Sequence, residues 1–76
     1  MEQQGPHIGD RVRRQREQRG WNQSELARQL GTTRQHVWLI EHGKQGPGAK
    51  LLLELARVLG VTPQYLMGQE LVQAGR

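Results

Sequence analysis

Seventy-six residues suffice for one small domain with a modest core, and without cysteine neither disulfides nor thiolate zinc ligands can staple it. No apolar run approaches the ~20 residues of a membrane span, and the N-terminus shows no apolar signal segment, so the expectation is a cytoplasmic protein with no membrane partner. The net charge of +4, with every basic residue but Arg76 lying between positions 11 and 57, favours a polyanion such as nucleic acid.

The composition fits a small all-α domain, and the pattern predicts five short helices around one core. Residues 1–7 lack periodicity, contain Gly5 and Pro6, and read as a flexible arm without Lys or Arg. Helix 1 is predicted over 8–19, with Ile8 and Val12 on its apolar face and Arg16 continuing that face. Asp10 and Arg19 suit its dipole, and Gly20 stops it. Arg16 stands apart from the neighbouring arginines, because a charge on an apolar face needs a partner.

A second helix starts strongly. Asn22 is the expected N-cap, Glu25 completes a capping box, and Trp21 can staple onto Leu26. Leu26, Ala27 and Leu30 share one face, and Gly31 supplies the positive φ that ends the helix. Thr32 or Thr33 can cap a third helix, in which Val37 and Ile40 point inward. Gln35, Trp38, Leu39 and His42 then face outward, and Arg34 projects from the first turn. Two short helices joined by a tight turn form a helix-turn-helix layout, whose second helix enters the DNA major groove. The forks of Arg34 and Gln35 suit guanine and adenine edges respectively.

Residues 43–48, GKQGPG, read as a loop in which Lys44 is a good phosphate contact. Helix 4 is predicted over 49–59, with Leu52, Leu55, Ala56 and Leu59 on its core face. Leu51, Leu53 and Val58 are then surplus apolar residues, available to other helices or to a partner. Lys50 opposes the dipole of that helix, and a nearby phosphate would compensate. Helix 5 follows, capped by Thr62 with Pro63 at its first position, Val61 stapled to Leu66, and Gly68 at its end. Residues 69–76 form a tail that either extends helix 5 or is disordered.

The stretch QSELARQLGTTRQHVWLIEHGK resembles the lambda-repressor-like, Cro/C1-type (XRE) helix-turn-helix domain. The resemblance rests on Gln23, Leu26, Ala27, Gly31, Thr33, Val37, Ile40, Glu41, Gly43 and Lys44, and it extends from about Ile8 to about Met67. It implies a domain over 8–68 that binds double-stranded DNA sequence-specifically as a homodimer on a palindromic operator, with repression as the expected outcome. It places Arg34, Gln35, Trp38 and Leu39 at base-reading positions, and Gln23, Thr33, His42 and Lys44 at phosphates. It also implies an ion pair between Arg16 and Glu41. The chain departs from the family at Trp38 and Leu39, where small or polar residues are common. Trp38 either lies along the DNA or folds back over helix 2 to complete the core.

Two other readings use the same fold. In an antitoxin of a toxin–antitoxin pair, Leu51, Leu53 and Val58 would face the toxin; in a protein-interaction module, Trp38 and Leu39 would be the hot spot. An anti-repressor is a further possible protein partner. An enzyme is not expected: Asp10, Glu17, Glu25 and Glu54 are scattered, with no nucleophile–base pair beside them. No cofactor is expected either. No metal site is expected, since His36 and His42 do not share a face and His7 lies apart from both.

Overall fold

The computed structural model describes residues 7–69. Among them are five helices and no strand: α1 (Ile8–Gln18), α2 (Gln23–Leu30), α3 (Arg34–Glu41), α4 (Gly48–Leu59) and α5 (Pro63–Leu66). This is the expected all-α architecture. The sequence reading of the arm before His7, and of the tail after Gln69, lies outside the described residues.

Local chemistry sets most of the helix ends. Asn22 Oδ1 accepts from the Glu25 amide at 2.8 Å, and Glu25 Oε1 accepts from the Asn22 amide at 2.8 Å. These reciprocal bonds satisfy two backbone donors that a bare helix start would leave unpaired. Thr33 rather than Thr32 caps α3, its hydroxyl accepting from the His36 amide at 3.1 Å. Thr62 does the same for α5, with the Tyr65 amide at 2.9 Å. At the other ends of α2 and α4, Gly31 and Gly60 adopt φ of 72° and 70°, left-handed values that cost a side-chain-bearing residue about 1–2 kcal/mol. The α4 start differs, since Pro47 offers no side-chain bond to its amides.

His7 corrects the sequence reading. The sequence groups it with the arm, whereas in the structure it is the N-cap of α1. Its Nδ1 accepts from the Gly9 amide at 2.9 Å, and Asp10 Oδ2 accepts from the His7 amide at 3.2 Å. Histidine is not among the common caps, so residue type gave no sign of this role.

Val12, Leu26, Ala27, Val37, Leu55, Ala56, Leu59 and Leu66 form one buried cluster drawn from all five helices. Each fully buried leucine stabilises the fold by about 1.5–3 kcal/mol. The surplus on α4 divides: Leu51 and Val58 are half-buried against the cluster, whereas Leu53 remains 60% exposed. The core face of α4 is therefore wider than the i, i+3, i+4 stripe, because α1, α2 and α5 all pack on it.

Contacts along its length fix α1. Gly9 is buried beneath the end of α3, where an added Cβ would stand 2.3 Å from the Ile40 carbonyl oxygen and 2.5 Å from that of Glu41. The two backbones meet there with no room for a methyl group. At the far end, the Arg19 guanidinium donates to the Leu59 carbonyl and, at 3.0 Å, to the Gln15 carbonyl. A cation at the last carbonyls of α4 complements its dipole. Gln15 donates from Nε2 to the Tyr65 hydroxyl at 3.3 Å.

Candidate nucleic-acid interface

The helix presented outward is α3. Val37 and Ile40 are buried on its inner side, as is Glu41. Thr33, Arg34, Gln35, Trp38 and His42 are exposed on or beside it, and Leu39 is half-buried. Glu41 is the only acidic residue in the RQHVWLIE segment, and its side chain is just 1% exposed. The accessible side of α3 is left with donors, aromatic rings and a cation, and with no carboxylate.

Glu41 is fully engaged. Its Oε2 accepts from Arg16 Nε at 2.7 Å, and its Oε1 accepts from Arg16 Nη2 at 3.1 Å. Arg16 Nη1 donates to the Trp21 carbonyl at 2.8 Å. The hydrogen bond to Glu41 raises the Arg16 pKa above its ordinary value, against a desolvation that lowers it. This fork-to-fork geometry joins α1, the α1–α2 link and α3 at one point.

Gln23 joins the same network. Its Nε2 donates to Glu41 Oε1 at 3.0 Å, and its Oε1 lies 3.5 Å from Arg34 Nη1. One carboxamide hydrogen is thus committed inside the protein, and one is left for an external acceptor. Gln23 also sits in the first turn of α2, where backbone amides and the helix dipole favour anions.

Trp38 does not fold back over α2. It lies outside the core cluster, 38% exposed, and stacks on His42 with ring centroids 3.9 Å apart and planes 19° from parallel. Four residues apart on a helix, the two rings share a face. His42 Nδ1 is 2.9 Å from the Trp38 carbonyl oxygen and so carries the proton it donates there. A phosphate oxygen can then be met only by an Nε2 that is protonated as well. Lys44 is exposed in the loop that follows. Among the described residues, no group of three His, Cys, Asp or Glu is arranged to hold a metal ion.

Sequence reasoning passed over Gln45. Its amide lies 3.3 Å from the Leu39 carbonyl, which also accepts from Lys44 at 2.9 Å. With Thr33, Gln35, His36 and Leu39 it lines a recess of about 320 Å³ beside α3. It falls six positions beyond Leu39, outside the helical repeat, so periodicity carried no signal for it.

Two helices joined at Gly31, the second presenting an uncommitted face, define a helix-turn-helix protein. The helix-turn-helix family model matches residues 12–66, and the chain belongs to the Cro/C1-type helix-turn-helix family. It is 37% identical over 60 residues to the SPbeta prophage-derived uncharacterized HTH-type transcriptional regulator YonR of Bacillus subtilis, covering 79% of this chain and 56% of that protein. The chain spans about half the length of the curated relatives it matches. Among solved structures it resembles SinR, the master regulator for biofilm formation, in complex with DNA. That match has a TM-score of 0.72 and 32% identity over 78% of this chain and 95% of that one. It shares its fold with the P22 c2 repressor protein in complex with a synthetic operator. There the TM-score is 0.82 and identity 24%, over 87% of this chain and all of the other.

Proposed function

We propose that this protein is a transcriptional regulator that binds double-stranded DNA sequence-specifically through α3 and represses by occupying its operator. The observation that carries the reading is the chemistry of the α3 surface. Its one carboxylate is buried against Arg16, while Arg34, Gln35 and Trp38 stand exposed beside the uncommitted donor of Gln23 and the cation of Lys44. Such a surface suits phosphates at its edges and base edges at its centre. YonR and SinR carry names that agree with this role.

In this reading Arg34, Gln35, Trp38 and Leu39 face bases, and Gln23, Thr33, His42 and Lys44 face phosphates. The helix-turn-helix domain occupies residues 8–68, extended by His7 as its first cap, and the protein acts in the cytoplasm without cofactor or catalysis. It binds as a homodimer. The test is titration of labelled duplex by fluorescence anisotropy at several salt concentrations. With roughly 6–10 phosphate contacts per dimer, affinity should fall about 10³–10⁵-fold between 50 and 200 mM salt. Lys44→Ala should flatten that slope while leaving sequence preference intact. Affinity that is independent of salt would refute the assignment.

A further inference from the structure

We propose that Gln45, in the loop after α3, is a further base-reading residue, and that with Leu39 it recognises one A·T pair in each half-site. The proposal rests on the DNA-binding reading and extends it to a residue outside the recognition helix.

The argument begins with the backbone. Gly43 has φ of +71°, so the chain reverses directly after α3. The next two amides, of Lys44 and Gln45, both reach the Leu39 carbonyl. That double anchor holds Gln45 against the last turn of α3. A residue six positions downstream is thus brought level with the exposed face.

The side chains follow from this placement. Gln45 and Gln35 both line the recess of about 320 Å³, together with Leu39, Thr33 and His36. The His36 ring is held in place, its Nδ1 being 2.8 Å from Thr32 Oγ1. The Thr33 hydroxyl accepts the His36 amide as the α3 cap, and its own O–H is the donor assigned above to a phosphate. For a base edge the recess offers one half-buried aliphatic surface, Leu39, and two carboxamides, Gln35 and Gln45, both on exposed residues.

That set matches one kind of base pair. The thymine C5-methyl is the apolar mark of the major groove, and Leu39 offers the apolar contact for it. Adenine presents N7 as acceptor and the N6 amino group as donor, and a carboxamide meets both at once. A G·C pair has no methyl for Leu39. Its guanine presents two acceptors, to which a carboxamide supplies a donor but also opposes its own carbonyl oxygen. Gln35 on α3 itself lines the recess, so the occupant of the recess is part of the duplex that residue faces.

The experiment starts from sites selected from random DNA by the wild type. Affinities are then measured for the wild type, Gln45→Ala and Leu39→Ala, on the selected duplex and on single-position variants of it. One position per half-site should prefer A·T over G·C by roughly tenfold in the wild type. Gln45→Ala should reduce that preference to the part that depends on the thymine methyl and keep the others, with an unchanged melting curve because the residue is exposed. Replacing the thymine at that position by uracil removes only the methyl. It should weaken the wild type several-fold and leave Leu39→Ala unaffected. Retention of every preference by Gln45→Ala overturns the proposal, as does an equal loss on all sites, which would make Gln45 a phosphate or packing residue. A wild type that selects no site overturns the DNA reading itself.

Discussion

At the scale of single residues, the Arg16–Glu41 pair governs the site without facing a ligand. Two charges this deeply enclosed, at 10% and 1% side-chain exposure, are tolerable only because their hydrogen-bonding groups meet partners at Trp21 and Gln23 and in each other. Removing one partner strands the other. Glu41→Gln or Arg16→Met alone should cost about 3–5 kcal/mol, and a double-mutant cycle in urea denaturation should return a large coupling. Arg13→Ala, at an exposed position, should stay within about 0.5 kcal/mol. Coupling near zero would mean that the pair adds nothing to the fold. The same contact keeps Glu41 away from the exposed side of α3, so a structural ion pair also sets the sign of the candidate interface.

At the scale of elements, the crossing of α1 and α3 depends on a missing side chain. Any Cβ on Gly9 would meet backbone oxygens of Ile40 and Glu41, and backbone cannot turn aside as a side chain can. Gly9→Ala should therefore cost about 3 kcal/mol or more, even though alanine is the better helix former by about 1 kcal/mol. An unchanged melting temperature would show that α1 can shift relative to α3. Gly31→Ala makes the informative contrast. Nothing lies within 4 Å of its added Cβ, so the smaller cost expected there, about 1–2 kcal/mol, comes from the left-handed backbone alone.

At the scale of the whole molecule, the proposed DNA-binding reading gives each copy of this domain one short helix for one groove, and a second copy is what would make a longer operator specific. Selection from random DNA should return a site with dyad symmetry whose half-sites are about one helical turn, ~10 base pairs, apart. A consensus without a dyad would argue against a symmetric dimer. Leu53, at 60% exposure the most prominent apolar side chain described, lies on α4 rather than α3 and is free of the proposed DNA face.

Much of this molecule was legible in the sequence because its signals are local. Asn22 with Glu25, Thr62 with Pro63, and the glycines at 31 and 60 mark helix ends through bonds and torsions spanning a few residues, so the chain itself encodes them. Period also placed Val37 and Ile40 inside and Trp38 outside. Arg16 announced that it needed a partner, but only the family resemblance pointed to Glu41. Other features depend on which segments meet. The need for glycine at position 9 arises from α3 lying across it, and the burial of Leu51 and Val58 from three helices converging on α4. The return of Gln45 to Leu39 turns on geometry beyond the period. Local hydrogen bonds and hydrophobic period are short-range properties that one sequence can carry. Close approach of backbones, and side chains gathered from separate segments, exist only once the core has chosen how the helices cross.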